Sequence, residues 1–140
     1  VFRRADLVID ATDGIETKFM LSDAAVATKI PLIYGGVVRF DGLVMRIDPT
    51  GACLRCLFEE PPAHGATCAQ AGVLGSMAGL VGSFQAQLAC EQPTKNDGGR
   101  LHILDGKTLT FRSIAVRRRA DCLACSPKPL FNVTPSVPRQ

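Results

Sequence analysis

Three observations predict an α/β fold with a mixed sheet and a structural zinc site. The run DLVIDA at 6–11 is the short apolar stretch of a buried parallel strand, and a helical segment separates it from a second apolar run, PLIYGGVV. Later strands follow one another across short turns, as antiparallel neighbours do. Two Cys-x-x-Cys pairs, Cys53/Cys56 and Cys122/Cys125, lie in loops far apart in the chain.

In chain order, DLVIDA is followed by TDGIE, a helix start with Asp13 as the expected N-cap and Glu16 three residues on. From Glu16 to Lys29 the residues Phe19, Met20, Leu21, Ala24, Ala25 and Val26 gather roughly on one face, so a helix is expected, ended by Pro31. PLIYGGVV and LVMRIDP then form a hairpin-like pair over 31–48, separated by Asp41-Gly42. Residues 49–67 read as loop, with Pro61-Pro62 excluding a helix there. LHILD (101–105) and LTFRSIAVRR (109–118) are strands joined by a Gly-Lys turn. Residues 1–125 make one domain, and the Pro-rich tail at 126–140 reads as extended or disordered.

Composition narrows the class. A chain of 140 residues with 46% hydrophobic and 21% charged residues can bury a real core and is not generally disordered. A net charge of +3 without dense basic clusters argues against nucleic acid and membrane surfaces as partners. The run Arg117-Arg118-Arg119 reads as a solvated strand end. VFRRADLVID carries no export signal and no starting Met, so a cytoplasmic chain cut from something longer is expected, its six cysteines mostly reduced. Ala71 to Cys90 is twenty residues without a charge, matching a bilayer span in length. Gln85, Gln87 and four glycines weaken that reading and favour a helix buried between layers or in a dimer interface, with Gly75 and Gly79 allowing close approach.

The cysteines carry the chemistry. A Cys-x-x-Cys turn places two thiolates about one metal, and two such pairs supply four ligands for tetrahedral zinc. With no His or carboxylate in either pair the site should be closed and structural, clipping together a large loop. Redox motifs or disulfides are the alternative; thioredoxin-type pairs open a helix directly after a strand, which neither pair is expected to do. Cys68, in GATCAQAGV before the uncharged helix, is a candidate nucleophile because a helix N-terminus favours thiolate. It is equally read as a small half-buried residue. Cys90 reads as core packing, and His64 and His102 show no obvious partner.

The order DLVIDATDG, KIPLIYGGVVRFDGLV, GACLRCLF, TCAQAGVLGSMAGLVGSFQA, LHILDG, DCLAC resembles the C-terminal half of the ThiF/MoeB/HesA family, prokaryotic relatives of ubiquitin-activating enzymes, over about residues 5–125. The resemblance implies half of a Rossmann-like, ubiquitin-activating-type fold. It implies ATP and magnesium as cofactors of the complete enzyme, which adenylates the C-terminal glycine of a ubiquitin-like sulfur-carrier protein, commonly as a homodimer. Asp13 matches the aspartate that holds the magnesium, a place that also suits a helix cap. Cys53, Cys56, Cys122 and Cys125 match the four zinc ligands. Cys68 matches a loop cysteine that in some members bonds covalently to the carrier. Gly14 and Lys18 stand where the family usually has Asn and Arg, and nothing in the 140 residues resembles its glycine-rich nucleotide loop. A zinc-stabilised protein-interaction module without nucleotide chemistry is therefore the rival reading.

Overall fold

The computed structural model describes residues 4–61, 71–91 and 99–127. Within them the elements are β1 (Val8–Ile9), α1 (Ile15–Thr28), β2 (Leu32–Val38), β3 (Asp41–Ile47), α2 (Leu54–Leu57), α3 (Gly75–Cys90), β4 (Arg100–Asp105) and β5 (Thr110–Ala115). The five strands form one sheet in sequence order. β1 runs parallel to β2, and β2 through β5 are antiparallel, so the sheet is mixed as expected.

Alternation along each strand sends side chains to two cores. Leu32, Tyr34, Met45, Ile47 and Leu101 join Phe19 of α1 and three buried cysteines on one face. Ile33 and Val44 meet Val81 and Leu88 of α3 on the other. α1 forms because Lys18, Phe19, Ser22 and Ala25 recur at helical spacing and make its buried stripe. Burying Phe19, 2% exposed, contributes about 1.5–3 kcal/mol. The helix stops at Lys29, whose left-handed backbone (φ 58°) turns its N–H onto the carbonyl of Ala25.

Several local expectations are corrected. The N-cap of α1 is Gly14, without a side-chain hydrogen bond, rather than Asp13. β1 has only two residues and one neighbour among those described, leaving Ile9 46% exposed. The β2–β3 turn is Arg39-Phe40, because Val38 pairs with Asp41 and draws Asp41-Gly42 into the strand. That turn is held from outside: Arg39 donates its N–H to the carbonyl of Gly72 and accepts from the N–H of Leu74. Gly42 is needed for packing, since a Cβ there would lie 2.6 Å from Val81 Cγ2.

The expected loop after β3 contains the one-turn helix α2, opened by Cys53. α3 has its Met77, Val81, Gln85 and Leu88 face buried, but among the described residues its other face is uncovered, with Leu80 52% exposed and nothing packed on Gly75, Gly79 and Gly82. Cys90 is exposed and packs in no core. Arg46 bonds the carbonyls of Leu88 and Glu91, satisfying the end of α3. Among the described residues no helix is long and apolar enough to cross a membrane.

Candidate functional site

The two Cys-x-x-Cys pairs meet. The sulfurs of Cys53, Cys56, Cys122 and Cys125 all lie within 4.8 Å of one another, and none is in a disulfide. Cys53 Sγ is 3.9 Å from Cys56 Sγ and 3.6 Å from Cys122 Sγ, and Cys56 Sγ is 3.4 Å from Cys125 Sγ. Four sulfurs ~2.3 Å from a tetrahedral zinc would stand ~3.8 Å apart, so the set fits that ion. The first pair does open a helical turn, against expectation, yet four thiols facing one centre is the arrangement of a metal site.

Electrostatics agree. Burial, then the charges of the other three cysteines, pushes the Cys53 thiol well above its usual value. Burial and the Cys56 side chain push Cys125 up to about 12. Burial opposes ionisation of Cys122 too, but the backbone N–H groups of Cys125 and Ala124 hold it below the ordinary value. Such a cluster cannot ionise completely unaided; a dication between the sulfurs supplies the missing charge. The surrounding chain is fastened to the centre. The Leu54 N–H donates to Ser22 Oγ at 3.1 Å, and the Arg119 N–H points at Cys56 Sγ at 3.5 Å. Arg118 donates to the carbonyls of Cys125 and Thr50, so the basic run serves the knuckle rather than only solvent.

A second constellation lies just past the carboxyl end of β1 and against residues 33–35 within β2. Asp10, 1% exposed, accepts from the N–H of Thr12 at 2.9 Å, the Thr12 hydroxyl at 2.7 Å and Lys18 Nζ at 3.0 Å. Lys18 Nζ also donates to the carbonyl of Gly35 and sits 5.4 Å from the centre of the Tyr34 ring. Gln85 of α3 reaches in to donate to the carbonyls of Asp10 and Ile33. It fills the room that a side chain at Gly35 would occupy, 2.4 Å from where its Cβ would be. Asp13 follows this braced loop and is exposed. A carboxylate there is available to a hard cation, and the carboxyl ends of such strands are where ligands of open α/β sheets sit.

Cys68 and His64 fall outside the described residues. His102 does have partners: it stacks on Phe111 at 5.7 Å, meets Phe84 edge-on, and its Nδ1 is 2.7 Å from Ser113 Oγ. Sequence reasoning missed Asp10, and named Lys18 and Gln85 without the roles they have here. Their signal was a polar residue at a position whose periodicity calls for an apolar one.

The ThiF family pattern matches residues 1–124. The chain is 38% identical over 136 residues to the adenylyltransferase and sulfurtransferase MOCS3 of Culex quinquefasciatus, covering 92% of this chain and 31% of that protein. It is 39% identical to a sulfur carrier protein adenylyltransferase of Thermus thermophilus, covering 92% and 52%, and 37% identical to the SAMP-activating enzyme E1 of Haloferax volcanii, covering 86% and 47%. It thus spans about a third to a half of these relatives. Among solved structures, MccB of E. coli superposes on 89% of the chain, and 40% of its own, with a TM-score of 0.67 at 13% identity, a likeness of fold alone. With the pattern covering nearly all of it, the chain belongs to the ThiF family.

Proposed function

We propose that the chain is part of an enzyme that uses ATP to adenylate the C-terminal glycine carboxylate of a ubiquitin-like sulfur-carrier protein, for thiamine- or molybdopterin-type sulfur transfer. Membership of the ThiF family, with relatives named for that activity at 37–39% identity, carries the reading. Asp13 would hold the magnesium of ATP, whose charge offsets that of the phosphates. Asp10 and Thr12 would keep the loop before it in one conformation, so the carboxylate is presented rather than searching. Cys53, Cys56, Cys122 and Cys125 would hold one zinc in a closed, structural centre. Cys68 would act later. Its thiolate would attack the acyl-adenylate carbonyl, the bond to AMP would break, and a thioester would form. A cytoplasmic homodimer, acting on neither nucleic acid nor membrane, completes the proposal; the open, uncharged face of α3 is compatible with a protein neighbour.

Pyrophosphate exchange into ATP, with a sulfur carrier present, tests this. The full-length protein should exchange, and Asp13→Ala should abolish it while Cys68→Ala leaves it intact. The 140-residue chain alone should bind ATP weakly and exchange nothing measurable, because one carboxylate cannot cradle three phosphates. Full activity of the short chain would show the chemistry to sit elsewhere. The second reading is an interaction module without nucleotide chemistry. It requires carrier binding by a full-length protein that never exchanges.

A further inference from the structure

α2 places one side chain between the two cysteines of the first pair in a way the fold alone does not demand. Arg55 turns back to α1 and grips Asp23 with a two-pronged contact: Nε to Oδ1 at 2.9 Å and Nη2 to Oδ2 at 2.9 Å. Its guanidinium carbon lies 5.4 Å from the centre of the Phe19 ring, and Nη1 reaches the carbonyl of Glu59 at 3.4 Å. Both partners of the ion pair are largely buried, with side chains 13% and 16% exposed. The neighbouring Ser22 accepts the Leu54 N–H, so α1 holds α2 by two consecutive residues.

We propose that Arg55, locked by Asp23, is a positioning residue of the metal centre: it fixes the Cys53–Cys56 turn for a divalent ion and places a permanent positive charge beside the thiolates. Four thiolates and a dication leave two negative charges in a largely buried place, which needs a nearby cation. The guanidinium belongs to a residue between Cys53 and Cys56, and its two-pronged hold on Asp23 and its seat over the Phe19 ring keep it on that turn. Arginine suits the task because it stays charged and its planar fork matches a carboxylate, leaving the residue little freedom. The inference rests on the metal reading above.

Cobalt(II) titration of the 140-residue chain, followed by its sulfur-to-metal charge-transfer band and by competition with zinc, separates the two. The parent chain should bind one ion; if it binds none, the metal reading and the clamp both fail. Arg55→Gln and Asp23→Asn should each weaken affinity by about 10–100-fold, the range for residues that orient metal ligands. The pair swap, Asp23→Arg with Arg55→Asp, restores the ion pair but puts a carboxylate beside the sulfurs. It should recover urea resistance of the metal-free chain without recovering affinity. If the parent binds and both single variants bind within twofold of it, or only one is impaired, the clamp is overturned. So it is if the swap restores full affinity, since the pair would then be only a strut.

Discussion

Tyr34 offers a test of the buried cluster that needs no mutation. It lies on β2, is 5% exposed, and is the only tyrosine in a chain without tryptophan. Burial, then the neighbouring Asp10 carboxylate, raises its phenol from 10.0 to about 12. Both causes have one origin: a phenolate there would lose water and face another negative charge. The consequence for stability has a definite sign. Below the unfolded value near 10.0 both states hold the proton, and the contribution is intact. Between pH 10 and about 12 the unfolded chain gives up its proton first, so stability falls as pH rises through that window. Two pH units correspond to about 3 kcal/mol, a large part of the roughly 5–15 kcal/mol of a typical domain. Phenolate absorbance against pH reads Tyr34 alone, and circular dichroism in parallel reports the fold. The expected result is a midpoint near 12, or steep ionisation together with unfolding short of it. Reversible ionisation near pH 10 with the fold intact would refute the placement of Tyr34 beside Asp10 in a dry core.

Three further outcomes are expected. Lys18→Met strands the Asp10 carboxylate, whose side chain is 0% exposed; breaking such a pair costs about 3–5 kcal/mol, here the lower end because Thr12 still donates twice. With a slope of about 1–3 kcal/mol/M, the urea midpoint of the metal-loaded chain should drop by about 1–3 M, and a change within experimental scatter would contradict the burial of this pair. Gly42→Ala drives a methyl to within 2.6 Å of Val81 Cγ2 and 3.2 Å of Met77 Cε, so it should destabilise by about 1–3 kcal/mol in the same assay. Metal analysis should give one zinc per chain, and its removal should speed hydrogen exchange at Leu54, whose amide bonds Ser22 of α1, and at Ser126, whose amide bonds the Cys122 carbonyl; equal protection with and without metal would speak against a structural centre.

What could be read from the residues was local chemistry, and what escaped was long-range accounting. The four cysteines were legible because Cys-x-x-Cys is a contiguous pattern whose purpose is visible without a fold. Lys18 was not, since a lysine in a helix ordinarily faces water. Its burial depends on Asp10, just past β1, and the Gly35 carbonyl of β2 arriving at one place. Gln85 was counted as a flaw in an apolar helix, although its amide answers two backbone carbonyls at the edge of the parallel pair. The β2–β3 turn was misplaced because Asp-Gly is a strong hairpin signal. Here the register is set instead by Arg39 bridging to the segment around Gly72, thirty-odd positions later in the chain.

The two constellations are also joined, and the joint is α1. Its first turn carries Lys18, pinned to Asp10 and Gly35; its next turn carries Ser22 and Asp23, pinned to Leu54 and Arg55. Lys18 and Asp23 are five positions apart in the helix, a rise of ~7.5 Å along the axis. Effects of changes that close do not in general add. α1 also packs its Phe19 into the core that contains the metal-site cysteines, so the helix cannot shift at one end without disturbing the other. A chain that lost its metal would therefore loosen the support of Asp10, and with it the loop that presents Asp13. The thiolate centre would then support the carboxylate proposed to hold magnesium, Asp13, through the rigidity of one helix. The Lys18→Met and Asp23→Asn changes combined should then cost measurably less than the sum of the two alone, since each releases the same rod; strict additivity would mean that the two ends of α1 are anchored independently.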